Sequence, residues 1–179
     1  MAEGFTLLAA ADRGWAIGKG GRMLVQIPKE RQLFLQETRG GTVVMGRKTY
    51  DGLPGHQPLF ARENVVLSAD PDFSPKGVKV FRTFPEVLAY LQTLPPEKVF
   101  IAGGESIFRQ FLPYCGRADI TAVDYRYDGD RFLADLDRDP CWKLLAESEE
   151  ETYFDLPFTF RRYTRIRSDA TVPAAGMRK

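Results

Sequence analysis

A chain of 179 residues with 44% hydrophobic and 27% charged content has the size and composition of one ordinary globular domain with a full core. Its 25 Lys and Arg against 24 Asp and Glu leave a net charge of +1, which argues against a dedicated nucleic-acid or membrane-surface binder and leaves room only for a local basic patch. Two cysteines (Cys115 and Cys141) make no disulfide framework, and a single histidine, His56, argues against a zinc site or Ser-His catalysis. No run approaches a membrane span and the opening Met1-Ala2-Glu3-Gly4-Phe5 predicts no signal peptide, so a cytoplasmic setting is expected.

Phe5–Ala11 reads as a buried strand. A glycine-rich loop from Gly14 to Gly21 follows, of the kind that closes over ligands. Pro28 opens a helix to about Thr38, ended by Gly40-Gly41. Thr42–Met45, Asn64–Leu67 and Val78–Phe81 are β-branched runs. Thr83-Phe84-Pro85-Glu86 is a capping box that starts a helix to about Leu94. Val99–Ala102 is a strand, followed by Gly103-Gly104 and a helix to about Leu112. Asp119–Tyr127, Trp142–Tyr153 and Phe158–Arg165 then read as strands, with a hairpin turn at 153–157. The pattern predicts a three-layer αβα sandwich on a mostly parallel sheet with an antiparallel C-terminal edge. One domain is expected over 1–166 and a loose tail over 167–179.

Val43-Val44-Met45-Gly46-Arg47-Lys48-Thr49 is an apolar strand that stops at a glycine and is followed at once by two cations and a hydroxyl. Such a turn suits an anion: the glycine lets backbone approach, the helix start offers N–H groups, and the side chains add charge. It also fits a surface turn with solvated cations. Gly103-Gly104 repeats the strand–glycine–helix pattern, and two such turns at one end of a parallel sheet flank the crevice where open α/β sheets bind ligands. The spacing matches neither GxGxxG nor a P-loop. On the helix after Pro28, Ile27, Glu30, Leu33, Phe34 and Glu37 share one side, which sets the Glu30 carboxylate in an apolar wall where burial would raise its pKa and the helix start would lower it. Glu30 tilted to the surface as a cap is the alternative. Arg62 could grip a substrate carboxylate as a fork. Asp128-Gly129-Asp130 is a turn rather than part of a complete calcium loop.

Taken in order, AAADRGWAIG, MLVQIPKERQLF, VVMGRKTY, ENVVLS, VFIAGGESIF, RQFLP, DITAVD and DGD resemble the dihydrofolate reductase family from about Phe5 to Arg165. The resemblance implies NADPH-dependent reduction of 7,8-dihydrofolate to tetrahydrofolate, in support of one-carbon and thymidylate metabolism. Glu30 would be the active-site acid on the pteridine N3 and 2-amino groups, with Thr121 hydrogen-bonded to its carboxylate. Leu8, Ala9, Phe34, Leu53 and Leu59 would line the substrate pocket, and Arg62 would bind the glutamate α-carboxylate. Ala10, Ile17 and Gly18 would meet the nicotinamide. Gly46, Arg47, Lys48, Thr49, Leu67, Ser68, Ala102, Gly103, Gly104, Glu105, Ser106 and Ile107 would hold the rest of NADPH, with a cis Gly103–Gly104 peptide. Segment 14–24 would be the mobile lid. No metal and no macromolecular partner is implied, and a monomer is expected.

The chain departs from the family pattern at three places. Leu24-Val25 stands where Pro-Trp is usual, Phe108 replaces a frequent tyrosine, and Ala69 replaces a serine that often helps hold the 2′-phosphate. A pyrimidine reductase of riboflavin synthesis and a non-catalytic folate- or nucleotide-binding protein are the competing readings.

Overall fold

The computed structural model describes residues 4–166; the tail expected over 167–179 lies outside them. The strands are β1 (Phe5–Ala11), β2 (Ala16–Lys19), β3 (Arg22–Met23), β4 (Thr42–Gly46), β5 (Glu63–Leu67), β6 (Val78–Phe81), β7 (Val99–Gly103), β8 (Cys115–Val123), β9 (Arg131–Phe132), β10 (Trp142–Glu147), β11 (Glu151–Tyr153) and β12 (Leu156–Arg165). The helices are α1 (Pro28–Thr38), α2 (Arg47–Asp51), α3 (Phe84–Leu91) and α4 (Glu105–Phe111).

The main sheet runs β10-β12-β8-β1-β7-β4-β5-β6, with β11 added to β12. From β8 to β6 every pairing is parallel, and β10, β11 and β12 supply the antiparallel end. β7 and β8 flank β1 after the chain has already moved outward through β4, β5 and β6, so the winding reverses around β1. A crevice opens at the strand ends at such a reversal.

Alternation along the central strands sorts the side chains to two faces. Leu7, Val44, Val65, Ile101 and Ile120 pack with Val87 and Leu91 of α3 and with Ile107, Phe108 and Phe111 of α4. Val43, Met45 and Val66 point the other way, to Phe34 and Leu35 of α1, Tyr50 of α2, and Leu59 and Phe73. Burying each such side chain contributes roughly 1.5–3 kcal/mol, which is why these near-continuous apolar runs become central strands. Ile27, just before α1, packs with Val123 and Phe158. The helix therefore reaches from the end of β8 across to β4 and β5.

The predicted ends shift where local chemistry overrides pattern. α3 stops at Leu91, and the next residues turn through Thr93 and Leu94 N–H bonds to Tyr90 and Leu91 carbonyls. β8 begins at Cys115 rather than Asp119, because it pairs with β1 from Phe5 onward. The run Trp142–Tyr153 divides into β10 and β11, and Ser148 bonds Phe160 through both its N–H and its hydroxyl at the break. The expected hairpin turn forms with Phe154 and Asp155 both at positive φ, as a tight two-residue loop demands. The glycine-rich loop is more ordered than expected: β2 pairs with β3 and with β9 in a small second sheet.

Candidate active site

The C-terminal ends of β1, β7, β4 and β5 lie side by side, with Leu7 opposite Ile101, Met45 opposite Gly103, and Gly46 opposite Leu67. The two strand–glycine–helix turns meet there. A Cβ on Gly46 would sit 3.2 Å from Ile107 Cγ1, and one on Gly104 would sit 3.8 Å from Thr49 Oγ1. The Gly103–Gly104 peptide is cis, and Gly103 has φ of 107°. A Cβ on Gly103 would lie 2.9 Å from the Phe108 ring, so that face of the glycine is filled by α4.

α1 forms the opposite wall. Thr121 of β8 pairs in register with Ala10 of β1. Strand alternation points Leu8, Ala10, Ala102 and Thr121 to the α1 face, where Leu8, Ala10 and Ala102 remain half-exposed at the end of a central sheet. Leu33 and Phe34 are also half-exposed, so α1 holds an apolar face over an open slot. Ala9 and Leu67 alternate to the other side and pack against the α3/α4 core, so only their backbones reach the crevice. Leu53 and Leu59 join Phe34 in the α1-side cluster.

Glu30 occupies the first turn of α1, half-buried, three residues from the anchor Ile27. Burial raises its pKa above the ordinary value, with Arg31 pulling the other way. The expected hydrogen bond from Thr121 is not formed among the described residues. The donor that would hold the carboxylate ionised is therefore missing, and burial dominates. Arg62 is held on three sides: Nε donates to Thr38 Oγ1 at 2.7 Å, Nη1 to the Phe60 carbonyl and Nη2 to the Leu35 carbonyl. One N–H on each terminal nitrogen is left, a fork suited to one carboxylate.

On the other side of the crevice, Arg47 is committed to Asp51 at 3.0 Å and Asp70 at 3.3 Å and stacks on Phe73 at 4.0 Å. Lys48 is exposed and forms no ion pair among the described residues. Buried Ser68 accepts the Asp70 N–H at 3.3 Å, and Ala69 beside it is exposed. Glu105 is turned away from α2: it pairs with Arg109 at 3.0 Å and accepts the Phe132 N–H at 2.6 Å. Ser106 is exposed.

The profile of the family described as dihydrofolate reductase matches residues 4–165. The chain belongs to the dihydrofolate reductase family. It is 40% identical over 119 residues to a dihydrofolate reductase of Mycobacterium leprae, covering 66% of this chain and 71% of that one. It is 33% identical over 166 residues to one from Mycobacterium tuberculosis H37Rv, covering 90% of this chain and 97% of that one. A solved structure, dihydrofolate reductase from Enterococcus faecalis complexed with NADP(H) and RAB-propyl, superposes with a TM-score of 0.79 at 27% identity, over 91% of this chain and 96% of that chain.

Within this dihydrofolate reductase frame, three departures acquire places. Leu24 and Val25 line a hollow of about 10 Å³ with Ala10, Ile17 and Val123, under the lid. Phe108 is buried beneath Gly103. Ala69, exposed between Ser68 and Asp70, brings no hydroxyl to this loop.

Three site-building residues escape a sequence reading. Buried Asp12 accepts N–H bonds from Gly14 at 2.8 Å, Ala16 at 2.9 Å and Tyr127 at 2.8 Å, tying the start of the lid to the chain after β8. Asp130 accepts the Gly20 N–H at 3.1 Å, and its own N–H donates to the Gly18 carbonyl. The Asp-Gly-Asp turn therefore anchors the lid, and a Cβ on Gly129 would lie 2.6 Å from Ala16 Cβ. Thr38, fully buried, organises Arg62. The available signal for Asp12 was an acid directly after a buried strand and before a glycine, the mark of an Asx turn.

Proposed function

We propose that this chain is an NADPH-dependent dihydrofolate reductase that converts 7,8-dihydrofolate to 5,6,7,8-tetrahydrofolate, with Glu30, Phe34 and Arg62 as its substrate-binding set. The observation that carries the reading is Glu30: a half-buried carboxylate without a protein donor, on the helix whose next turns present Phe34 and hold Arg62. A helix spaced in this way suits a ligand with a flat hydrogen-bonding ring at one end and a carboxylate at the other.

Glu30 accepts from the ring's N3 and 2-amino groups and fixes its orientation. Phe34, Leu53 and Leu59 exclude water from the ring and benzoyl faces, and Arg62 binds the α-carboxylate. The crevice fits NADPH: the backbones of Gly46 and Gly103–Gly104 come together without side chains between them, and Lys48 offers an uncompensated charge nearby. When bound, NADPH supplies the hydride to C6. In this reading Glu30 orients the ring without touching N5, and the N5 proton arrives through water. Free Cys115 and Cys141 suit a cytoplasmic setting.

NADPH oxidation measured with dihydrofolate tests the assignment, and saturable turnover is the expected result. Turnover only with a ribosylaminopyrimidine would move the chain to pyrimidine reduction. Tight folate binding with no turnover would make it a binding protein.

A further inference from the structure

A second hollow, of about 300 Å³, lies beside the start of the lid at the antiparallel end of the sheet. No residue assigned above to substrate or cofactor lines it. Its floor follows from register. Ile120 and Ala122 of β8 stand opposite Arg161 and Thr159 of β12, and Glu147 of β10 stands opposite Arg161 on the other side. Trp15, in the lid, and Tyr163 close one flank, edge to face with ring centroids 5.9 Å apart. A hollow of this size with an apolar floor and an aromatic wall has room for a small molecule.

Five carboxylates and two guanidinium groups line it, in a chain whose overall charge is +1. Arg13 is taken by Asp124, and Arg161 serves both Glu147 and, at 3.7 Å, Asp137. Asp137 also accepts the Tyr163 hydroxyl at 2.8 Å, a neutral donor that leaves the charge standing. Glu150 is exposed and forms no ion pair or side-chain hydrogen bond among the described residues. Asp12 accepts only backbone N–H groups, from Gly14, Ala16 and Tyr127. The hollow therefore keeps a local excess of three negative charges, and its apolar walls focus that field inward.

These acids do not converge. Among the described residues no three His, Cys, Asp or Glu side chains are gathered closely enough to hold a metal ion. They are strung along β12 instead. Asp137 lies at Tyr163, Glu147 lies opposite Arg161, and Asp124 donates its N–H to the Pro157 carbonyl at 2.8 Å. From Tyr163 to Pro157 the strand covers roughly 20 Å at ~3.3 Å per residue. Separated charges over an apolar floor suit a linear aliphatic cation with ammonium groups at intervals. Its methylenes would lie on Ile120 and Ala122, and its ammonium groups would meet the acids and the Trp15 face.

We propose that this hollow is a binding site for a small aliphatic polyamine, and that its occupant steadies the start of the lid. The coupling is built into the wall. Asp12 holds the Gly14 and Ala16 N–H groups, and the Trp15 carbonyl accepts the Leu133 N–H at 2.9 Å. A cation seated on Asp12 and Trp15 adds to the bonds that fix the first residues of segment 14–24. The site is independent of the reduction chemistry, so its test needs no turnover.

Calorimetric titration of the full chain with spermidine at fixed ionic strength should show one site with half-saturation at about 1 mM or below. Asp137→Asn with Glu150→Gln should raise that value by about fivefold or more. The asparagine still offers Tyr163 an acceptor, so the fold is kept. Asp72→Asn with Glu97→Gln removes the same charge from two exposed acids outside the hollow and should leave binding unchanged. Hydrogen exchange at the Gly14 and Ala16 amides should slow when spermidine is bound. No saturable binding, equal binding of magnesium ions, or equal weakening in the two variant pairs would overturn the proposal. Unchanged exchange at both amides in the bound chain would overturn the link to the lid. None of these outcomes bears on NADPH oxidation, so the reductase reading is tested separately.

Discussion

Thr38 Oγ1 stands between two groups: it donates to the Phe34 carbonyl at 2.8 Å and accepts from Arg62 Nε at 2.7 Å. Because its proton is spent on the helix, a lone pair is left facing the guanidinium. Thr38→Val keeps the shape and leaves a buried Nε–H without an acceptor. Losing a hydrogen bond to a charged group costs about 1.5–3 kcal/mol. KM for dihydrofolate should rise by about tenfold or more while kcat changes little, because the tail is far from the transferred hydride. Thr38→Ser should restore KM. A valine variant with normal KM, measured in steady state, would show that the Phe60 and Leu35 carbonyls suffice to hold Arg62.

Glu30 sets activity against stability. Its raised pKa means that the folded chain binds this proton more tightly than the unfolded chain does. The associated stability is fully present below the ordinary value of 4.5 and is lost as pH rises through the folded value. Glu30→Gln removes that loss. The variant should therefore melt higher than the parent at neutral pH, by about 1 kcal/mol. The gap should close as pH falls toward the ordinary carboxylate range. The same variant should nearly abolish reduction and still bind NADPH. Thermal melts across pH decide the first point and turnover the second; a variant that is less stable than the parent at pH 8 would mean that the carboxylate has a protein partner.

A pattern carried by one element is legible in the sequence, and a bond shared by two distant elements is not. Glu30 and Phe34 are readable because they sit four apart on one helix, and Gly103-Gly104 because a strand ends on it. Asp12, Thr38 and Asp130 are not readable in this way. Asp12 meets Tyr127 across 115 residues, Arg62 meets Thr38 across 24, and Asp130 meets Gly20 across 110. β3 and β9, two residues each, have too little length to show a period, and they exist because β2 offers both its edges. Arg47 meets two acids: Asp51, an i,i+4 neighbour that helical spacing places beside it, and Asp70, 23 residues away, which local pattern does not.

The commitment of Arg47 to Asp51 and Asp70 divides the work of the two adjacent cations. Lys48, without a partner among the described residues, should carry most of the preference for a 2′-phosphate. Lys48→Ala should weaken NADPH much more than NADH, by up to about 1.5–3 kcal/mol for a charge-assisted bond. Arg47→Ala should have the smaller effect on that ratio and should loosen the 68–73 loop that Asp70 helps to fix. Calorimetric or fluorescence titrations with both cofactors give the comparison, and equal weakening of NADPH and NADH by Lys48→Ala would sink this division.

The lid is held by a backbone-directed acid more than by its surface ion pair. Lys19 pairs with Asp128 at 2.8 Å, but both side chains are largely exposed and solvent screens them. Asp130 instead accepts the Gly20 N–H, and its neighbour Gly129 packs on Ala16. Asp130→Ala should speed exchange of the Gly20 amide and slow turnover, because segment 14–24 would close less often over the crevice. Lys19→Ala should leave both unchanged. Hydrogen exchange with steady-state kinetics on the two variants separates the contributions, and matching behaviour of the two would mean that the ion pair governs closure.

Gly103 is constrained from two directions at once. Its φ of 107° lies where side chains are disfavoured, and an added Cβ would come within 2.9 Å of two Phe108 ring atoms. Phe108 is 4% exposed and packed in the α4 core, so the ring has no free space to yield. Overpacking of this kind costs about 1–3 kcal/mol, and the backbone conformation adds a similar amount. Gly103→Ala should therefore lose about 2–6 kcal/mol in denaturant melts. Phe108→Leu in the same chain should recover part of that loss, since a smaller side chain opens the space into which the new methyl points. It should not recover the backbone share. Full rescue by Phe108→Leu would show that packing alone enforces glycine here, and no rescue at all would place the whole requirement in the backbone.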